Sequence, residues 1–262
     1  MPIQIIHQQQ QLAAFLRPHR EKAIYELGDL DDRYWPATTW YALTNQQGAI
    51  EELLLAYNAG DLLVILTKPY TSEASCRRLI EGIAHLLPRR IYVHVPSTLL
   101  NAFDPRYQIE SHGLHDRMVI SAGMPLADLD RSGITRLTID NLEQIKAFYA
   151  ISYPDNWFDP TTLATGHCYG FYEDGQLRCV SGIHAFAPQQ GVAALGNIAT
   201  HPAARGRGIA TRVVAHACHE LLRDVDTIGL NVKSANSSAI NCYQRVGFRF
   251  VQQFEEVMLT IP

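Results

Sequence analysis

The stretch Arg205-Gly206-Arg207-Gly208-Ile209-Ala210 lies between an expected strand and an expected helix, and it decides the fold of this chain. Upstream, residues 194–200 are mostly apolar and short enough for a buried strand. Downstream, apolar residues recur at every fourth position from Ile209 to Leu221, which is typical of an amphipathic helix. A glycine-rich turn that opens a helix directs backbone N–H groups and the positive end of the helix dipole to one point. The stretch therefore predicts an anion site that suits a diphosphate.

Two common nucleotide motifs do not fit this stretch. A dinucleotide fingerprint would need a glycine where Thr211 stands and an acidic residue where the next expected strand ends at Lys233. A P-loop would need Gly-Lys-Ser/Thr, but Gly208 is followed by Ile209. The residues alone leave two interpretations open: a diphosphate site of another kind, or an ordinary helix entry with solvated arginines.

The stretch resembles the acyl-CoA loop of the GNAT superfamily of N-acyltransferases, whose pattern is Arg/Gln-x-x-Gly-x-Gly/Ala. Arg205, Gly208 and Ala210 stand at the defined positions. The family pattern continues downstream in Leu230-Asn231-Val232, Asn236, Ala239, Tyr243 and Gly247-Phe248. The resemblance covers about residues 194–251 and extends more weakly back to about residue 134.

This resemblance implies an α/β fold of the α+β type. Its sheet is mixed, mostly antiparallel, splayed at the centre and flanked by helices, and a second α/β domain precedes it. It also implies direct transfer of the acetyl group of acetyl-CoA to a primary amine of a small molecule or peptide in a ternary complex, without a metal. Two alternatives stay open: a non-catalytic acyl-CoA-binding regulatory protein, or an acyltransferase that uses a longer acyl group or an oxygen acceptor.

The resemblance also assigns residues to the cofactor. The loop would bind the pyrophosphate, and the strand before it would pair with the pantetheine arm. Tyr243 would protonate the departing thiolate, because a phenol with a pKa near 10 can do so, although a packing role is the alternative. Asn236 would cap a helix, either alone or while contacting the cofactor. The expected cofactor-binding residues are Ile198, Ala199, Thr200, Arg205, Gly206, Arg207, Gly208, Ile209, Ala210, Thr211, Asn231 and Asn236.

The acceptor site is expected at the aromatic and acidic loop of residues 153–159. Exposed aromatic rings beside carboxylates would suit an amine with an apolar body, although the same rings could instead fill a core. The expected substrate-binding residues are Asp155, Trp157, Phe158 and His184. The general base stays open, because residues 192–200 contain no carboxylate. The candidates are His184, Asp155, Asp159, Glu26 and an ordered water.

Composition narrows the class of protein. The chain has 262 residues and a formal net charge of −4, so nucleic acid is not an expected partner. Its five cysteines are scattered without a Cys-x-x-Cys pair, which favours a reducing cytoplasm. No signal peptide or membrane-spanning run is expected. Two histidine pairs are closely spaced, His112 with His115 and His216 with His219, but neither pair has a convincing third metal ligand. We expect a CoA thioester and an amine acceptor as partners, and a monomer or homodimer.

We expect two domains, 1–124 and 125–262, the second of which begins with a strand at residues 134–139. The first shows a strand at residues 62–67, an apolar helical stripe from Cys76 to Leu87 and a strand at residues 91–95. This order parallels the second half and could be a degenerate GNAT-like copy, as in proteins that resemble glycine N-acyltransferases. The turn corresponding to the acyl-CoA loop has no glycine and contains Pro69, so we expect no cofactor there.

Overall fold

The computed structural model describes residues 2–262, and their contacts divide the chain into two compact units. The first unit runs to Asp116 and also contains Lys233–Ala235 and Gln252–Pro262. The second unit consists of Arg117–Val232 and Asn236–Val251. A compact unit is defined by contacts and need not fold alone, so the expected domain division after residue 124 stays a prediction.

The first unit is a sheet with helices packed on it. Its helices are α1 (Gln9–Leu16), α2 (Ile24–Gly28) and α3 (Glu73–Ile83). Its strands are β1 (Ile3–Ile5), β2 (Thr38–Thr44), β3 (Ile50–Ala59), β4 (Leu62–Thr67), β5 (Arg90–Val95), the first part of β6 (Gln108–Ser121) and the last part of β12 (Arg249–Thr260). The order begins β1-β2-β3-β4-β5-β12, and β4 and β5 are the parallel pair, joined by α3. Apolar side chains of β4, α3, β5 and β12 share one core.

The second unit has the same kind of strand order. Its elements are β7 (Ile134–Arg136), α4 (Leu142–Ser152), β8 (Tyr169–Glu173), β9 (Gln176–Ala187), β10 (Val192–Thr200), α5 (Ile209–Leu221), β11 (Thr227–Lys233) and α6 (Ser237–Val246). The order is β7-β8-β9-β10-β11, followed by the last residues of β6. Here β10 and β11 are the parallel pair, and α5 joins them. The predicted apolar stripe of α5, which runs from Ile209 to Leu221, is buried.

The predicted fold class is confirmed, because most strand pairs are antiparallel and helices flank the sheet. The splay lies between β10 and β11. These strands pair only as far as Ala194 and Gly229, although β10 continues to Thr200 and β11 to Lys233. Beyond Ala194, the edge of β10 that faces β11 has no register partner there.

Four elements differ from the sequence-based expectations: β7, α3, β2 and β3. The strand expected to reach Ile139 ends at Arg136, because Thr138 caps a helical turn by accepting from the Asp140 N–H at 3.3 Å. Helix α3 ends at Ile83 rather than Leu87 and continues as a 3-10 turn over Ala84–Leu86. Leu87 is extended, because the residue before a proline, here Pro88, disfavours helical backbone. Strands β2 and β3 were not predicted.

Candidate functional site

The glycine-rich loop between β10 and α5 has the backbone that an anion site requires. Gly206 and Gly208 have φ angles of +76° and +73°, in the left-handed region that favours glycine. A Cβ atom added to either residue would meet nothing within 4 Å, so the space outside the loop is open. Gly208 is the N-cap of α5 and has no side chain to occupy the N–H groups of the first turn. These N–H groups are therefore the groups that an anion in that space would meet.

The two arginines of the loop are engaged by protein groups. Arg205 donates through Nε to the Thr200 carbonyl oxygen at 3.1 Å, which ties the loop to the end of β10. Arg207 forms two hydrogen bonds with the carboxylate of Glu173, at 2.9 and 2.5 Å, and these bonds lower the pKa of that carboxyl group. Both guanidinium groups thus have acceptors within the protein, whereas the loop backbone at Gly206 and Gly208 faces open space.

The corresponding turn of the first unit, between β4 and α3, already holds an internal anion. Buried Glu52 accepts from the Tyr70 N–H at 2.6 Å, from the Thr71 N–H at 3.3 Å and from the Ser72 N–H at 3.4 Å. Burial raises the pKa of this carboxyl group, while these hydrogen bonds act in the opposite direction. The absence of a cofactor at this turn stays a prediction, to which the position of Glu52 gives a physical reason.

Strand β10 carries a β-bulge within the splayed region. Its register with β9 shifts between Gly196 and Ala199, and Asn197 has a φ of +52°. Asn197 and Ile198 have no register partner on β9 or β11. The expected pantetheine-pairing residues Ile198, Ala199 and Thr200 therefore lie on an open strand edge, which suits a ligand with peptide-like amide groups.

The expected acceptor loop lies against this bulge. The Trp157 N–H donates to Asn197 Oδ1 at 3.3 Å, and the Phe158 ring lies 5.3 Å from the Tyr149 ring. Trp157 is 72% exposed and Asp155 is also exposed, whereas Phe158 is half-buried against the core. Of the two expected aromatic residues, one is thus free to meet a ligand and the other packs.

The general-base candidates occupy different surroundings. His184 is exposed on β9, and a Cβ atom added at Gly196 would lie 3.0 Å from its Cβ atom, so His184 borders the bulge. Asp159 caps a helical turn by accepting from the Thr161 N–H at 2.9 Å. Glu26 belongs to the first unit, where it is buried and paired with Lys68. His184, Asp155 and Asp159 all lie on exposed surface of the second unit, and Asp159 is engaged in the cap.

Helix α6 lies beside the first turn of α5, where Thr211 Oγ1 is 3.4 Å from Cys242 Sγ. Asn236 caps α6, as the sequence indicates, by accepting from the Ala239 N–H at 3.1 Å. Tyr243 is 7% exposed, and its ring packs edge-on against Phe248. The contact at Thr211 therefore brings the helix that carries Tyr243 to the N-terminal end of α5.

Asn231, another expected cofactor residue, has a protein partner. Its Oδ1 atom accepts from Nε of Arg117 at 3.1 Å, and the Arg117 side chain is buried. A buried guanidinium needs such an acceptor, so Asn231 has a structural role whether or not it meets a ligand.

Sequence reasoning missed the contacts that hold the bulge in place. The Tyr149 hydroxyl donates to the Asn197 carbonyl oxygen at 2.6 Å. A Cβ atom added at Gly182, on β9, would lie 2.7 Å from the Gly196 carbonyl oxygen, so glycine is required there. The Gly196-Asn197 pair inside an apolar strand was the available signal, since glycine within a strand often marks a bulge.

Residues 2–262 contain no helix of the kind that spans a membrane and no side-chain cluster of the kind that holds a metal ion. No helix in this range combines the length and the apolar character needed to cross a membrane. Within the same range, no cluster of three or more His, Cys, Asp or Glu side chains has a geometry that could hold a metal ion.

Comparison with known proteins gives a family match over most of the second unit. Residues 135–248 match the model of the Acetyltransferase (GNAT) family, and this segment contains the loop, the bulge and α6. No curated protein matches the chain. The resemblance inferred from the sequence motifs is therefore confirmed for this segment.

Solved structures share the fold over nearly the whole chain. A Drosophila protein is 14% identical with a TM-score of 0.71, covering 98% of each chain. A GCN5-related N-acetyltransferase from Sphaerobacter thermophilus is 15% identical with a TM-score of 0.60, covering 99% of this chain and 96% of its own. A tandem GNAT protein from the clavulanic acid biosynthesis pathway is 13% identical with a TM-score of 0.59, covering 100% of this chain and 99% of its own. At these identities the likeness is one of fold.

Proposed function

We propose that this protein, in which residues 135–248 form a domain of the GNAT acetyltransferase family, transfers the acetyl group of acetyl-CoA to a primary amine of a small molecule or peptide. The family supports acyl transfer from acyl-CoA in general. One observation carries the proposal: β10 parts from β11 after Ala194, and the unpaired end of β10 leads into a glycine loop that faces open space. A thioester with a peptide-like arm and a pyrophosphate matches this pair of features.

The proposed binding mode follows the order of the residues. The pyrophosphate meets the N–H groups of residues 206–211, and the pantetheine amides pair with residues 198–200 of β10. Charge-assisted hydrogen bonds of this kind contribute about 1.5–3 kcal/mol each, so several of them fix the thioester in place. The amine then enters beside Trp157 and Asp155, which lie on the loop anchored to the bulge.

The proposed chemistry is a direct transfer in a ternary complex. The amine nitrogen, once deprotonated, attacks the acetyl carbonyl carbon, and a C–N bond forms. A tetrahedral oxyanion develops and is stabilised by a backbone N–H group. The C–S bond then breaks, and Tyr243 gives its proton to the CoA thiolate and regains one from solvent.

For the proton lost by the amine we propose His184, directly or through water. His184 is exposed on β9 and borders the bulge, beside the open edge of β10. Asp159 caps a helical turn, and Glu26 is buried in the first unit. Asp155 is then left to bind the cationic form of the amine.

The proposal also covers the setting of the reaction. All five cysteines are free, which suits a reducing compartment, and we place the enzyme in the cytoplasm on that ground. A monomer or homodimer, without nucleic acid or a membrane as partner, stays our expectation.

The test is thiol release from acetyl-CoA across a panel of amines, amino acids and peptides. We expect release that depends on both acetyl-CoA and one class of amine, with the N-acetyl product detected by mass spectrometry. Binding of acetyl-CoA without release for any acceptor would favour a non-catalytic binding protein. Faster release from a longer acyl-CoA, or with an alcohol acceptor, would correct the acyl group or the acceptor class.

A further inference from the structure

The peptide group that joins Asn197 to Ile198 is held from one side. Its carbonyl oxygen accepts from the Tyr149 hydroxyl at 2.6 Å. Tyr149 lies on α4 and is 2% exposed, and its ring contacts both Phe148 and Phe158. A buried ring with such contacts cannot easily move, so the hydroxyl is a rigid donor.

Fixing the carbonyl also fixes the neighbouring N–H group. In a trans peptide the C=O of one residue and the N–H of the next point in opposite directions. Tyr149 therefore directs the Ile198 N–H away from α4. Ile198 lies in the bulge, at the splay, and has no register partner on β9 or β11.

We propose that Tyr149 is a positioning residue: by holding the Asn197 carbonyl, its hydroxyl directs the Ile198 N–H toward the carbonyl oxygen of the bound acyl thioester. Negative charge develops on that oxygen during transfer, and a preoriented N–H group stabilises it. The inference rests on the acyl transfer proposed above, and it assigns a role to a residue outside the glycine loop and α6.

Two further contacts keep this arrangement closed. A Cβ atom added at Gly182 would lie 2.7 Å from the Gly196 carbonyl oxygen and 3.5 Å from the Tyr149 hydroxyl, so no side chain can enter between them. Burial raises the pKa of Tyr149 well above its usual value, so the hydroxyl keeps its proton and stays a donor. The bulge is also anchored through Asn197 Oδ1 to the Trp157 N–H.

The first experiment is steady-state kinetics of Tyr149→Phe, which keeps the ring and removes the hydroxyl. With acetyl-CoA and the best amine from the panel, we expect kcat to fall about 10- to 100-fold while KM for acetyl-CoA stays nearly constant. Tyr172→Phe is the control, because it removes a hydroxyl that donates to Gln144 on the same helix at 2.7 Å. We expect its kcat to be unchanged. A loss of thermal stability in Tyr149→Phe with normal kcat would overturn the inference.

The second experiment needs no acceptor and follows backbone amides by ¹⁵N NMR. We expect the Ile198 resonance to differ between the complexes with acetyl-CoA and with CoA, and this difference to vanish in Tyr149→Phe. If residues 206–211 respond to both ligands but Ile198 does not distinguish them, Tyr149 lacks this role while the proposed function stands. If residues 206–211 respond to neither ligand, the proposed function fails and the inference fails with it.

Discussion

At the scale of single residues, the candidate site depends on the missing side chain of Gly208 as much as on the side chains around it. Gly208 lacks a side chain at the N-cap of α5, so the first-turn N–H groups face open space. The arginines beside it are bound to Thr200 and Glu173. We therefore expect the loop to be more sensitive to an added side chain than to a lost charge.

Replacing Gly208 with glutamate tests this expectation. The new side chain would place a negative charge in the open space proposed for the pyrophosphate, so we expect acetyl-CoA affinity to fall by at least about 100-fold, as measured by calorimetry. Arg207→Ala should weaken binding far less.

Gly123→Glu is the matched control for this substitution. Gly123 follows the end of β6 and has a φ of +82°. A Cβ atom added there would meet nothing within 4 Å. Ala122 bonds to Asp226 at the start of β11, so this turn lies at the opposite end of the sheet from the loop. An equal loss of acetyl-CoA affinity in both variants would contradict the assignment of the loop as the binding site.

Tyr243→Phe tests the proposed acid. The substitution keeps the ring, which is buried against Phe248, and removes the proton that would go to the thiolate. We expect kcat to fall about 10²- to 10⁴-fold, with acetyl-CoA affinity nearly unchanged. A normal turnover rate would leave Tyr243 with a packing role only.

At the scale of elements, α6 begins and ends as its sequence indicates. Asn236 caps its first turn, and Gly247 ends it with a φ of +124°. A methyl group at Gly247 would overlap the carbonyl oxygen of Pro125, which lies in the segment between β6 and β7. The backbone at Pro125 therefore occupies the space that a side chain at residue 247 would need, and only glycine fits there.

Gly247→Ala should consequently destabilise the second unit. We expect the free energy of unfolding to fall by about 3 kcal/mol, because the substitution adds overlap to backbone strain. Gly123→Ala should lower the free energy of unfolding by only about 1 kcal/mol, since the φ of Gly123 is also positive but the space around it is open. Urea denaturation of both variants measures the difference, and equal losses would mean that the Pro125 contact is unimportant.

At the scale of the whole molecule, the same arrangement occurs twice with opposite outcomes. In each unit a parallel pair of strands is joined by a helix, through α3 in one and α5 in the other. The turn before α5 leaves its N–H groups open, whereas the turn before α3 gives them to Glu52. One unit is therefore suited to an external anion, and the other contains its own.

Glu52→Ala tests this difference. Removing the carboxylate leaves the N–H groups of residues 70–72 without their acceptor, so we expect the free energy of unfolding to fall by about 3 kcal/mol. Glu51→Ala is the control, because its side chain lies on the other face of β3. The measurement is thermal unfolding of both variants, with and without sulfate as a replacement for the lost anion. If Glu52→Ala is as stable as Glu51→Ala, the carboxylate does not serve this turn.

The sequence by itself determined the features that depend on local spacing: the glycine loop, the stripe of α5, the cap at Asn236 and the GNAT resemblance. These could be predicted because backbone conformation and helical periodicity are set by neighbours in the chain. Tertiary structure alone decided that Tyr149 holds Asn197, that Trp157 is anchored at the bulge, and that Glu52 fills the other turn. The partners in these contacts lie 18 to 48 residues apart, so only the packing of strands and helices brings their atoms together.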